Sequence, residues 1–289
     1  MESNQQLYKR MITAFSVDSF ELPTTLVKLF KADQEVPREV MAHHTDTLSI
    51  TSCQAHKQSS IGDAVCLTRE NIGCVAAAIS LGLVGQDEKE PLKGPRVYTD
   101  LMKEQVEEKE QFQPPTPSDF TEGLVYACKA ANRPEFGLFG EEDSGRFHDV
   151  ETAKAAIREM TAIQPANIKA VFFFSPDFED LVLQPDLVLL SVRPVELTRV
   201  IQAYQFMTGK RVNASMGGLR MVNSDLIARP YLTGEINISS YCLGARLIAQ
   251  FDADRLGMGI PFADFKIIVE GLERSKSGYP FQLYPGATD

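Results

Sequence analysis

The segment Leu187-Val-Leu-Leu-Ser-Val-Arg-Pro-Val-Glu196 decides the fold. Its first six residues, Leu187–Val192, are leucine and valine except for Ser191 and read as a buried strand. Pro194 then stands where the first residue of a helix belongs, a position at which its missing N–H and fixed φ do no harm. Glu196 suits the positive end of the helix so predicted, which runs to Met207. A buried strand passing at once into a helix is the unit of a layered protein, in which helices cover a sheet.

The same rhythm extends in both directions. Upstream, Ala170–Phe174 is a fully apolar strand, and Thr25–Phe30 and Ala64–Thr68 read as two more. Beyond Thr68 the chain reaches Cys74, where an Ala/Ile/Leu run to Leu81 reads as a buried helix closed by Gly82. Downstream the expected elements are a strand over Arg211–Ser215, a short helix over Asn223–Ala228, and strands over Ile236–Tyr241 and Leu256–Ile260. Pro261 then opens an amphipathic helix to Arg274. The class is α/β, with a mixed α+β arrangement as the alternative: a mixed sheet covered by helices. Between the two halves, residues 86–165 are acidic and broken by Pro91, Pro95, Pro114, Pro115, Pro117 and Pro134. Helices are expected there over 100–111 and 149–160, but the apolar content is too thin for a separate core. The chain therefore reads as one domain, 1–289, with 86–165 an acidic insertion within it.

With 44% hydrophobic and 24% charged residues among 289, the composition is globular and excludes disordered and low-complexity classes. Acidic residues outnumber basic ones, 39 to 29, for a formal charge of −10. Such a surface repels phosphate backbones and anionic lipid, which argues against nucleic-acid and membrane partners. The N-terminus lacks the apolar core of a signal peptide. The longest mostly apolar stretch, Cys74 to Gly85, is too short for a bilayer, which takes about 20 residues. A cytoplasmic location is expected, and in that compartment the cysteines, Cys53, Cys66, Cys74, Cys128 and Cys242, read as thiols or metal ligands.

Several blocks occur in one order: Cys53-Gln-Ala; Asp-Ala-Val-Cys-Leu-Thr-Arg-Glu-Asn-Ile-Gly-Cys74 with Leu81-Gly-Leu; and Ile201-Gln-Ala-Tyr. They continue with Arg229-Pro-Tyr-Leu-Thr-Gly-Glu235, Tyr241-Cys-Leu-Gly-Ala-Arg246, Gly259-Ile-Pro261 and Val269-Glu-Gly-Leu. Together they resemble family 169 of the domains of unknown function, the uncharacterised ArCR family. The resemblance covers both ends of the chain but not the acidic middle. It implies a pattern found in archaea and bacteria, and no reaction, because the activity of the family is not established. It also implies that Cys53, Cys74 and Cys242 are family cysteines, whereas Cys66 and Cys128 are not. The resemblance further implies that relatives often carry another cysteine near Asn223, whose absence here counts against a site of four thiolates.

Three thiolates drawn from distant segments can ligate an iron–sulfur cluster or zinc, since soft sulfur donors suit both. No Cys-x-x-Cys is present, so a zinc knuckle and a thioredoxin motif are excluded. Cys53-x-x-His56 has metal-like spacing, and on a helix Cys53 and His56 would share a face that Cys74 could complete. The alternative is that these cysteines are small buried apolar residues. Cys242, four residues before Arg246, gains thiolate character if a helix starts there with the guanidinium nearby. Met216-Gly-Gly-Leu-Arg220 could let Gly217, Gly218 and Arg220 approach a carboxylate or phosphate, or could be a plain turn. Arg193, at a strand end, reads as a ligand group or as a surface arginine. His43, His44 and His148 read as solvated side chains.

The leading expectation is an iron–sulfur, metal-binding or thiol redox protein. In it Cys53, Cys74 and Cys242 converge, while Arg246 and the Gly217-Gly218 turn orient a small anionic ligand. The rival is a non-catalytic organic-acid binder using Arg193, Arg220 and Arg246 over structural cysteines. A third reading is an accessory or scaffold protein that docks a protein partner through 86–165.

Overall fold

The computed structural model describes residues 2–15, 22–45, 48, 50–84, 159–164, 166–179, 182–217 and 221–275. Its frame is a six-stranded sheet: β1 (Thr24–Lys31), β2 (Ala64–Thr68), β3 (Ile168–Phe174), β4 (Leu187–Val192), β5 (Asn237–Ser239) and β6 (Leu256–Pro261). The strand order is β2-β3-β1-β4-β6-β5, and every neighbouring pair is antiparallel. The expected class, helices over a sheet in a mixed α+β fold, is what the chain forms.

The strand directions differ from the expected mixed sheet for a physical reason. Near-continuous apolar strands are typical of sheets covered on both faces, a situation most often met with parallel strands. Here both faces are covered as well, but the strands run antiparallel. Val27, Leu29, Val171, Phe173, Leu187 and Leu189 enter one apolar cluster, while Leu26, Phe172, Phe174, Val188 and Leu190 enter the other. The period of two is intact, and both phases are hydrophobic.

One face carries the long helices α1 (Asn4–Phe15), α5 (Pro194–Thr208) and α9 (Phe262–Arg274), which pack on one another as α1 on α9 and α9 on α5. Pro194 opens α5 as predicted, and Gly209 closes it in the left-handed region at φ 69°, where a residue without Cβ is unstrained. The other face carries short helices: α3 (Ser52–Ser59), α4 (Val75–Ser80), α6 (Met221–Asn223), a π-helical turn (Ser224–Ala228), α7 (Arg229–Thr233) and α8 (Leu243–Ile248). A further short helix, α2 (Arg38–Met41), follows β1.

Two local expectations are corrected. Arg211–Ser215 is not a strand. The side chain of Asn237 stands in for a strand partner there: its Oδ1 accepts from the Ser215 N–H at 2.8 Å, and its Nδ2 donates to the Ser215 carbonyl at 2.9 Å. The helix expected over Asn223–Ala228 is wound as a π-turn, a form that often marks functional positions. The helices expected over 100–111 and 149–160 fall almost wholly on residues outside those described, as do Cys128 and His148.

Candidate functional site

The cysteine-bearing segments meet on the short-helix face. α3 lies on β1, β2 and β3 and touches both α6 and α8, while the π-turn lies on β5 and β6 and touches α4. Each of the three family cysteines stands at the start of one of these helices. Cys53 is the second residue of α3, whose start is fixed by a capping box: the Thr51 hydroxyl accepts from the Gln54 N–H at 3.2 Å, and Gln54 Oε1 accepts from the Thr51 N–H at 3.0 Å. Cys74 is the N-cap of α4 and Cys242 the N-cap of α8, both in extended conformation, and neither thiol caps its helix. Sulfur thus occupies positions where Ser, Thr, Asp or Asn is usual. Cys74 and Cys242 are buried, Cys53 is half-buried, and all three pack in the same apolar cluster. Cys66 belongs to the cluster on the opposite face, where burial pushes its thiol up to about 12.

Polar groups buried beside these starts tie them together. The Ser52 hydroxyl donates to Asn223 Oδ1, which joins α3 to α6. Asp225, in the π-turn, is 6% exposed and accepts from the Gly217 N–H at 3.0 Å. Burial is the main cause that raises its carboxyl to about 6; the Gly217 N–H, Ser224 and Arg229 oppose the rise, and Cys242 adds to it. A carboxyl in that range exchanges a proton near neutral pH.

His56 is fully buried and bridges β1 to the start of α8. The Thr25 hydroxyl donates to the His56 carbonyl at 2.9 Å, so Thr25 Oγ1 must accept from Nδ1–H, also at 2.9 Å. Nε2 is then the unprotonated nitrogen and accepts from the Tyr241 hydroxyl at 3.2 Å. Burial holds the imidazole neutral, with its pKa lowered to about 3. Tyr241 is in the left-handed region at φ 62°, unusual for a bulky residue. It is held there by this bond and by stacking on Phe251 at 4.2 Å between ring centroids. The strained residue immediately precedes Cys242, so its anchoring sets where that thiol lies.

The sequence candidates divide accordingly. The Cys53/His56 metal site is corrected, because both ring nitrogens of His56 are committed to Thr25 and Tyr241. A helix does start at Cys242, but the Arg246 guanidinium is directed to backbone carbonyls: Asp252 at 2.5 Å, Ser240 at 2.7 Å and Arg255 at 3.1 Å. Arg193 pairs with Glu196 and Asp254 at the start of α5, on the long-helix side. Gly217 meets Asp225, whereas Gly218 and Arg220 lie outside the described residues. His43 and His44 are half-buried: His44 Nε2 lies 2.9 Å from the Thr68 hydroxyl, and His43 packs on Phe172 and Phe178. Sequence reasoning missed Asp225, Ser52, Asn223 and Tyr241. Only Asp225 carried a signal: a carboxylate directly before the apolar run Leu226-Ile-Ala228.

Three sulfurs have the right softness for an iron–sulfur centre or zinc. Among the described residues, however, no three His, Cys, Asp or Glu side chains are grouped so that they could hold a metal ion. The donor chemistry fits a metal and the grouping does not. Nor is any helix among those residues long and apolar enough to cross a membrane.

The fold and site define a layered α+β protein with an antiparallel sheet, long helices on one face and cysteine-headed short helices on the other. The chain belongs to the uncharacterised ArCR family of domains of unknown function, whose model matches residues 25–271. It is similar to an uncharacterized protein of Methanocaldococcus jannaschii, 26% identical over 129 residues, which make up 45% of this chain and 54% of that protein. The match thus spans about half the length of that relative. No solved structure matches the chain.

Proposed function

We propose that the protein acts on a small anionic ligand through a cysteine-dependent site on the short-helix face. Among the described cysteines Cys53 is the most exposed, half-buried where Cys74 and Cys242 are buried. The observation that carries this reading is the coincidence of position. Three cysteines from remote parts of the chain each stand in or before the first turn of a different helix, and all pack in one cluster. Helix starts favour thiolate over thiol and present N–H groups to an anion. Asp225 beside Cys242, with its pKa near 6, is the group that can take up or release a proton there. The organic-acid reading without cysteines is less favoured, since two of its three arginines, Arg193 and Arg246, are engaged within the protein, while Arg220 lies outside the described residues.

Alkylation by iodoacetamide, followed at each cysteine by mass spectrometry with and without small carboxylates and phosphates, tests the reading. Cys53 is expected to react before Cys74 and Cys242 and to be protected by a subset of these anions, and Cys53→Ser to abolish the thermal shift they produce. The reading fails if no anion protects any cysteine, or if the triple Cys→Ser variant keeps every ligand-induced shift. Anaerobic purification with iron, sulfide and zinc analysis separates the metal alternative. Stoichiometric metal lost on Cys→Ser substitution would replace free-thiol chemistry by a ligated centre.

A further inference from the structure

Away from the cysteines, a cleft of about 160 Å³ opens where the end of α5, the chain after it, the end of α7 and the first turn of α9 come together. It borders the long-helix cluster, to which Tyr204 and Ile236 in its wall belong. Two cations, Lys210 and Arg211, and two carboxylates, Glu235 and Asp264, line it beside Tyr204. Among the described residues, none of these four charged side chains is in an ion pair or a side-chain hydrogen bond. They nevertheless act on the same space. Asp264, half-buried, has its carboxyl raised by withdrawal from water and feels Lys210, and the Tyr204 hydroxyl feels both Asp264 and Glu235.

Opposite charges that line one concavity without closing on each other leave both signs to be satisfied by whatever enters. A simple anion would meet the two carboxylates, and a simple cation would meet Lys210 and Arg211. A molecule carrying an ammonium and a carboxylate a few ångströms apart meets both sets at once. Size narrows the class further. A water molecule takes up about 30 Å³ of liquid, so the cleft holds roughly five waters, or about that many heavy atoms.

We propose that this cleft binds a small zwitterion, an α-amino acid of the size of glycine, alanine or serine. Its carboxylate lies toward Lys210 and Arg211, and its ammonium toward Asp264 and Glu235. The site is independent of the cysteines, and its ligand is bound whole, with no bond made or broken.

Isothermal titration of the full chain with glycine, L-alanine and L-serine tests this, with N-acetyl-alanine and alaninamide as probes that each lack one charge. The free amino acids are expected to bind, and each blocked analogue to bind at least about tenfold more weakly. Asp264→Asn, a near-isosteric change at a half-buried position, and the double variant Lys210→Gln/Arg211→Gln, at exposed positions, are expected to weaken binding to the same extent with melting temperatures kept. The triple Cys→Ser variant is expected to bind as the native chain does, which separates this site from the thiol site. Absence of heat from all three amino acids at millimolar concentration overturns the proposal. So does equal binding of either blocked analogue, which would make the cleft a site for one charge only.

Discussion

The two faces of the sheet are built on different principles. The face with α1, α5 and α9 uses helices of 12, 15 and 13 residues, held by apolar stripes such as Leu7, Met11 and Phe15 of α1. The face with the cysteines uses helical segments of 8, 6, 3, 5, 5 and 6 residues. Helices that short are not stable by propensity and must be fixed by tertiary contacts. The contacts here include buried polar bonds at their starts, between Ser52 and Asn223, His56 and Tyr241, and Asp225 and Gly217. One face is thus mainly a packing layer, in which Arg199 of α5 also donates to the Leu272 carbonyl of α9 at 2.8 Å, and the other is a set of helix starts tied together with polar groups, which is the arrangement that can present chemistry.

The largest effect expected from this contrast lies on the packing face. Phe265→Ala on α9 removes a side chain only 2% exposed from the long-helix cluster and should cost about 3–5 kcal/mol in urea unfolding. Next comes the point where the polar face rests on the sheet by backbone alone. A Cβ at Gly259 of β6 would run into the Leu226 carbonyl of the π-turn, and backbone cannot yield as a flexible side chain does. Gly259→Ala should therefore cost about 2–3 kcal/mol and should alter the reactivity of Cys242 and Cys74. The Phe265 variant, while folded, should leave those thiols unchanged. If both variants disturb the cysteines equally, the two faces are one cooperative layer and the distinction fails.

The packing face was the legible one. Strands and the helices opened by Pro194 and Pro261 announce themselves in local runs, and β2 and β4 have the boundaries read from sequence. Strand direction was not legible, because runs apolar in both phases look alike in parallel and antiparallel sheets. α1 is hard to read although Leu7, Met11 and Phe15 repeat every four residues, because polar side chains fill most of its other positions. On the other face, α3 has no apolar stripe, and only the Thr51-x-x-Gln54 capping pattern marks it. The cysteine positions came from the family resemblance, and the helix start at Cys242 was foreseen as a condition. What ties the site together was hidden, because Ser52 meets Asn223 across 171 residues and His56 meets Tyr241 across 185, and no local pattern encodes such pairs.

Smaller effects are expected from pH, and they belong to the polar face. His56 has its pKa lowered to about 3, so below its unfolded value of about 6.5 the unfolded chain takes up a proton that the folded chain refuses. Its contribution is complete above about pH 6.5 and is lost as pH falls toward 3, at about 1.4 kcal/mol per pH unit. Asp225 works in the opposite sense. Its folded pKa of about 6 exceeds the ordinary 3.8 of an aspartate, so its contribution is full at low pH and is lost as pH rises between those values. Between pH 4 and 6 the two slopes oppose each other. Asp225→Asn should stabilise the protein by up to about 3 kcal/mol at pH 7 and make the acid limb steeper, whereas His56→Gln should flatten that limb. Urea unfolding at pH 4, 5, 6 and 7 reads both, and parallel curves for native chain and variants would remove the buried placement of these groups.

The smallest expected effect returns to the long helices. Arg10 of α1 pairs with Glu273 of α9 at 2.6 Å and with Glu2 at 2.8 Å, with all three side chains more than a third exposed. Such pairs gain little, because water screens the charges and long side chains lose freedom in holding them. Arg10→Ala should cost below about 1 kcal/mol, and the difference should vanish in about 1 M salt, where the screening length is near 3 Å. A packing face depends on its apolar stripes, and its surface ions can go without consequence. A loss of several kcal/mol that persists in high salt would mean that α1 is tied to α9 by charge, and the long-helix face would then resemble the polar face it has been set against.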